Sequence, residues 1–168
     1  QIIAINKLAQ GQNVVDKALQ NHDFIAVACG GSNSVVSVLR YRKGRLVDKK
    51  EHVFFGETDA NEVRNSFLLQ FYSREMPPKN IFLDEMPADA AIVEYIHRQT
   101  TQKITIAVPQ KGDNTKIIKM AYTNAVERLA RESGRLNKSE RFIDELGALL
   151  GMENPPRVIE SYDISNWG

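Results

Sequence analysis

Between residues 24 and 56 the apolar residues of this chain are spaced for β-strands, and after Gly56 they are spaced for helices. Phe24 to Cys29 (FIAVAC) is a compact apolar run, Gly30-Gly31-Ser32-Asn33 is turn chemistry, and Val35 to Tyr41 follows. Lys43-Gly44 then separates that run from Leu46 to Phe55. Turns this short join antiparallel neighbours, so the three runs are expected to form a three-stranded meander.

The second half reads differently. Asp59 with Glu62 three residues on resembles a capping box, and Val63, Phe67 and Phe71 then share one helical face. Pro77-Pro78 ends that helix. Asn80 to Leu83 is a short buried strand, Asp89 to Gln99 a helix with Ile92, Tyr95 and Ile96 inward, and Lys103 to Val108 another strand. Asp113 or Asn114 caps a long helix carrying Ile117 or Ile118, Ala121, Ala125 and Leu129 on one stripe, and Gly134 is expected just past its end. A last helix is expected from about Ser139, with Phe142, Ile143, Leu146, Leu149 and Leu150 inward and Gly151 after it. The β-β-β-α-β-α-β-α order makes this an α/β chain. It has a mixed sheet, an antiparallel meander followed by βαβ units, with helices packed on it. That order resembles the RNase H-like fold, which by itself implies no activity.

At 168 residues, with 42% apolar and 26% charged positions, the chain can build a core and is neither disordered nor fibrous. No apolar run approaches the roughly 20 residues of a membrane span. Lys plus Arg (22) nearly balances Asp plus Glu (21), so bulk charge neither demands nor excludes nucleic acid. The single cysteine, Cys29, forbids an intrachain disulfide and is expected as a small core residue. No Cys/His cluster suggests zinc, and His22, His52 and His97 are scattered. No phosphate-cradling glycine motif is present, so nucleotide binding is not expected. The absence of a leader, with Gln1 first, reads as a piece of a longer cytoplasmic protein.

Nucleases of RNase H-like architecture hold two metal ions with clustered carboxylates, which requires an acid in the first strand. Phe24 to Cys29 contains none, and Asp23 precedes it at the wrong end. Asp84 and Glu85 follow the fourth strand with nothing opposite them, which favours a loop or cap role. This domain is therefore expected to lack a complete active site. Beyond the Asn154-Pro155-Pro156 break, a new β-pattern (VIESYDIS) places Asp163 between apolar residues. A carboxylate inside a strand is disfavoured unless it is paired or ligated. Asp163 either faces solvent on an edge strand or holds a ligand.

The segment Pro155 to Asn166 (PPRVIESYDISN) resembles the opening of the C-terminal endonuclease domain of the UvrC family, incision subunits of bacterial excision nucleases. Ala107 to Asp113 (AVPQKGD) and Met120 to Ala125 (MAYTNA) are similar to the family's P-x-x-G stretch and the helix after it. The chain departs from the family at its end, where Trp167 alone separates Asn166 from Gly168. The resemblance implies nucleotide excision repair, damaged double-stranded DNA and a UvrB subunit as partners, and a place in the response to DNA damage. It puts the family's first catalytic, metal-binding aspartate at Asp163, served in the parent protein by Mg²⁺ or Mn²⁺, with no cofactor expected in this segment. It implies three regions: 1–20, the tail of a helical partner-binding region and connector; 21–151, the RNase H-like domain; and 152–168, a linker and first strand of an endonuclease domain. The segment itself is expected to be a scaffold between nuclease domains, or else a non-catalytic protein- or DNA-binding module.

One basic run is a candidate contact for DNA. Arg40, Arg42, Lys43, Arg45, Lys49 and Lys50 surround the second turn with only Asp48 opposing them. They are read either as phosphate contacts or as a solvated hairpin tip. The cations along the long helix are offset by Glu127, Glu132 and Glu140, and read as a mixed, exposed face.

Overall fold

The computed structural model describes residues 21–152 and Asn154. The regions expected at 1–20 and 155–168 lie outside the described residues. The chain divides into two compact units, Gln1–Leu129 and Ala130–Gly168.

In the first unit, β1 (His22–Gly30), β2 (Asn33–Arg42) and β3 (Arg45–Phe55) form the antiparallel meander. Helix α1 (Ala60–Tyr72) leads to β4 (Asn80–Leu83), and α2 (Ala90–Arg98) to β5 (Thr105–Ala107). Helix α3 (Asp113–Leu149) begins in this unit and runs on into the second. The sheet order is β3-β2-β1-β4-β5, with β4 parallel to both β1 and β5. This is the mixed sheet that the sequence pattern implies.

Strand β1 is central, which is why FIAVA carries no polar alternation: both of its faces are covered. On one face Ile25 and Val27 join Val63, Phe67 and Leu68 of α1 and Ile92 and Ile96 of α2. On the other, Phe24, Ala26 and Ala28 lie beneath Ile117, Ala121, Ala125 and Leu129 of α3. Asp59 caps α1, its carboxylate accepting from the Asn61 and Glu62 amides at 2.7 and 3.0 Å. Lys43 and Gly44 both have positive φ (53° and 72°), the geometry of a two-residue hairpin turn that matches strand twist.

Three expectations are corrected. Helix α3 does not stop at Gly134. A Cβ there would meet nothing, so the glycine costs helix propensity and breaks no packing. The stop lies at Gly151 (φ 66°), where Gly151 N–H donates to Ala148 O and Met152 N–H to Gly147 O, a Schellman arrangement. Strand β1 starts at His22, so it does contain an acid, Asp23. Cys29, expected in the core, is exposed near the end of β1.

Candidate functional site

The sheet carries a carboxylate at each end. Asp23 lies near the start of β1, beside Ile81 of β4 and Arg40 of β2. It is fully buried, and it is tolerated there because cations and a hydroxyl surround it. Arg42 donates to Asp23 Oδ1 at 2.7 Å, and Arg40 Nε stands 3.7 Å from the same oxygen. The Tyr72 hydroxyl donates to Oδ2 at 3.2 Å. Burial pushes the Asp23 carboxyl above its ordinary 3.8, against the opposing pull of Arg42. Burial and the Asp23 charge hold the Tyr72 phenol well above its ordinary value, so that hydroxyl remains a donor.

Asp84 follows β4 at the opposite end. Its amide donates to Ile25 O, and its Oδ2 accepts from Val27 N–H at 2.9 Å, so the side chain continues the β1–β4 pairing. This end of a parallel sheet is where α/β proteins place ligands, and Asp84 does not stand alone there. Arg64 of α1, 2% exposed, reaches Asp84 through Nε at 3.2 Å and Nη2 at 3.3 Å. Its Nη2 also lies 3.3 Å from Glu85 Oε2, and its Nη1 donates to Asn61 Oδ1 at 2.8 Å. The expectation that nothing stands opposite Asp84 and Glu85 is thus corrected. Arg64 escapes a hydropathy reading because it sits next to Val63 on the buried side of α1, where the pattern asks for an apolar residue. Its signal was an arginine next to the apolar stripe.

These residues do not fit a two-metal centre. A guanidinium already occupies the carboxylates where a cation would have to stand, and the facing part of β1 offers Ile25, Val27 and backbone. Among the described residues no group of three or more His, Cys, Asp or Glu is placed to hold a metal ion. Asp163 lies outside the described residues. A cleft of about 160 Å³ lined by Phe54, Glu57, Glu62, Val63, Ser66 and Gln70 is smaller than small-molecule sites usually are.

The basic run around the second hairpin is opposed by more acids than Asp48. Arg40 pairs with Glu75 at 3.1 Å, approaches Asp48 at 3.9 Å and lies over the Phe71 ring. Arg42 is tied to Asp23 and to the carbonyls of His22 and Tyr41. Lys49 pairs with Glu51 and reaches Asn124 of α3, and Lys50 pairs with Asp48. Lys43 and Arg45 are exposed at the turn. The hairpin therefore divides into arginines that hold the fold and a smaller cationic tip.

A mixed five-stranded sheet in this order, with α1 and α2 on one face and the first part of α3 on the other, defines the chain as an RNase H-like α/β domain. The family described as the UvrC ribonuclease H-like domain matches residues 21–132, and the chain belongs to that family. It is 38% identical over 99% of its length to UvrABC system protein C of Alkaliphilus oremlandii, covering 28% of that protein. It is 34% identical over 87% of its length to the protein of the same name from Clostridioides difficile, covering 26% of it. For the Citrifermentans bemidjiense protein of that name the figures are 36%, 78% and 21%. The chain thus spans about a quarter of the length of these curated relatives. Among the described residues no helix is long and apolar enough to cross a membrane.

Proposed function

We propose that this chain is the central segment of a DNA-repair endonuclease subunit that incises damaged DNA in nucleotide excision repair, and that the segment itself is a scaffold between nuclease domains. Its likeness to proteins named UvrABC system protein C supports the first part. The second part is carried by the buried Arg64–Asp84 pair, which places a fixed guanidinium where nuclease chemistry needs a metal ion. The parent protein works on damaged double-stranded DNA with a UvrB-type subunit, in the cytoplasm.

Catalysis of the 5′ cut in the parent is assigned to Asp163, together with acids carried elsewhere in that protein. A Mg²⁺ or Mn²⁺ ion held there supplies charge against the scissile phosphate. Asp163→Asn keeps the shape and removes the charge. An incision assay on end-labelled damaged duplex, with the partner subunits present, is expected to show the 5′ cut abolished and the 3′ cut retained. A 5′ cut at the wild-type rate would overturn the assignment. The isolated chain is expected not to nick DNA with either metal, and nicking by it that survives Asp163→Asn would sink the scaffold reading.

The exposed hairpin tip, Lys43 and Arg45 with Arg40 and Arg42 behind it, is the proposed contact for the DNA backbone. Its exposure and charge support that reading.

A further inference from the structure

Strand β3 is an edge of the sheet, so among the described residues no strand lies on its outer side. Gly56 N–H bonds Ser32 O, and in this register the backbone groups of Lys50, His52 and Phe54 also turn toward β2. The N–H and C=O groups of Lys49, Glu51, Val53 and Phe55 therefore point out of the sheet. A long open edge is a template for another strand, and proteins protect it with charges or proline. That protection covers only part of β3. Asp48-Lys49-Lys50-Glu51 is charged throughout. His52-Val53-Phe54-Phe55 has no carboxylate, lysine, arginine or proline, and Phe55 is 65% exposed.

The unprotected part is also where the small cleft opens. Val63, Phe67 and Phe71 of α1 pack on the sheet, and Glu62, Ser66 and Gln70 form the flank of that helix next to Phe54. The cleft they line with Glu57 has a volume of about 160 Å³, and a space of about 150 Å³ holds one ring-sized group. It suits one side chain. Phe54 and Val63 are its apolar part, and Glu57 and Glu62 are exposed carboxylates. Among the described residues no lysine or arginine pairs with either of them.

We propose that the second half of β3 takes up an extended segment of a partner protein as an added strand, with an arginine of that segment in the cleft. In an antiparallel addition, the residue opposite Phe54 lies between the open positions 53 and 55, where side chains approach most closely. An arginine there lays its stem along the Phe54 ring and brings its guanidinium to Glu57 and Glu62. Main-chain bonds to Val53 and Phe55 supply affinity, and the cleft supplies selectivity. Charge selects this occupant over others. The two carboxylates repel a phosphate backbone, and a second copy paired through Phe54 would set them against their own counterparts. The strand addition does not depend on the role given to Asp163.

The probe is the peptide acetyl-Ser-Thr-Val-Arg-Val-Thr-Ser-amide, whose arginine and threonines share one face of a strand and whose valines share the other. It is titrated into the whole chain, labelled with ¹⁵N, and amide exchange is followed by NMR. Exchange at Val53 and Phe55 is expected to slow several-fold, and the Ser66 and Gln70 resonances to shift. Glu57→Gln with Glu62→Gln is expected to weaken binding several-fold and to leave the spectrum of the core unchanged, since both side chains are exposed. Phe55→Pro removes an outward donor that the β2–β3 ladder does not use, and is expected to weaken binding as well. The peptide with glutamate in place of arginine is expected not to bind. Failure of the arginine peptide to bind at millimolar concentration would overturn the proposal, as would binding indifferent to both variants. So would slow exchange at Val53 and Phe55 without peptide. If lost on dilution it would mean that a second copy covers the edge, and if persistent, that the chain's own residues do.

Discussion

Arg64 and Asp23 are both buried with their charged groups, and each makes a different prediction. Breaking a buried pair by removing one partner typically costs about 3–5 kcal/mol, because the other charge stays desolvated. Arg64→Met is expected to destabilise the domain by about that amount in urea unfolding. Glu85→Gln should cost less than about 1 kcal/mol, since Glu85 is largely exposed. Equal effects would mean that Arg64 is held by something other than Asp84. Asp23 adds a pH signature. Its folded-state carboxyl is raised above the ordinary 3.8 by burial, so the folded state favours the protonated form. Its contribution is therefore fully present below about 3.8 and is lost as pH rises through the higher folded value. The stability of wild type minus Asp23→Asn is expected to fall as pH is raised from about 4 toward neutrality, then to level off. A difference that grows over that range would show that Arg42 outweighs burial. Neither residue was legible as a partner in the sequence: Asp23 and Arg42 are 19 positions apart, Arg64 and Asp84 20, and neither distance is a local motif.

Elements were legible where a local signal set both ends. Strand β4 occupies Asn80–Leu83 as its apolar run implies, and α1 starts after Asp59 because that side chain caps it. Helix α3 was misdivided because Gly134 imitates a stop signal, while tertiary context decides whether such a glycine ends a helix. Gly134→Ala is expected to stabilise the protein by about 0.5–1 kcal/mol, since a Cβ there meets nothing and the glycine carries extra backbone entropy. Thermal unfolding followed at the helical band checks this, and a lower Tm would mean the glycine serves a bend. The hairpin needs a test designed around its internal pairs. Replacing Arg42 would strip Asp23 of its nearest cation, so a loss of DNA affinity would confound folding with contact. Lys43→Ala with Arg45→Ala leaves those pairs intact. If the tip touches phosphates, this pair is expected to weaken binding alike for every sequence and to flatten its salt dependence. Unchanged affinity in a chain that binds DNA would return the tip to solvent.

For the whole molecule, the fold class was readable because strand spacing, turn chemistry and helix spacing succeed one another in a single order along the chain. The candidate site was not, since it depends on which sheet end each carboxylate reaches and on a buried arginine that no period reports. Between the proposed domain and the segment after it, limited proteolysis is expected to cut first within 152–157 and to leave 21–151 resistant. First cuts between 80 and 130 would misplace that boundary. Strand β1 also has a consequence for how the protein is made. Its partner β2 follows after a two-residue turn, yet its other neighbour β4 pairs 58 residues later, His22 beside Asn80. A chain emerging from the ribosome at about 5–20 residues per second can close the meander seconds before β4 exists. Until α1 has followed, Ile25 and Val27 have neither α1 nor β4 to cover them, which leaves the nascent meander open to self-association and to chaperones.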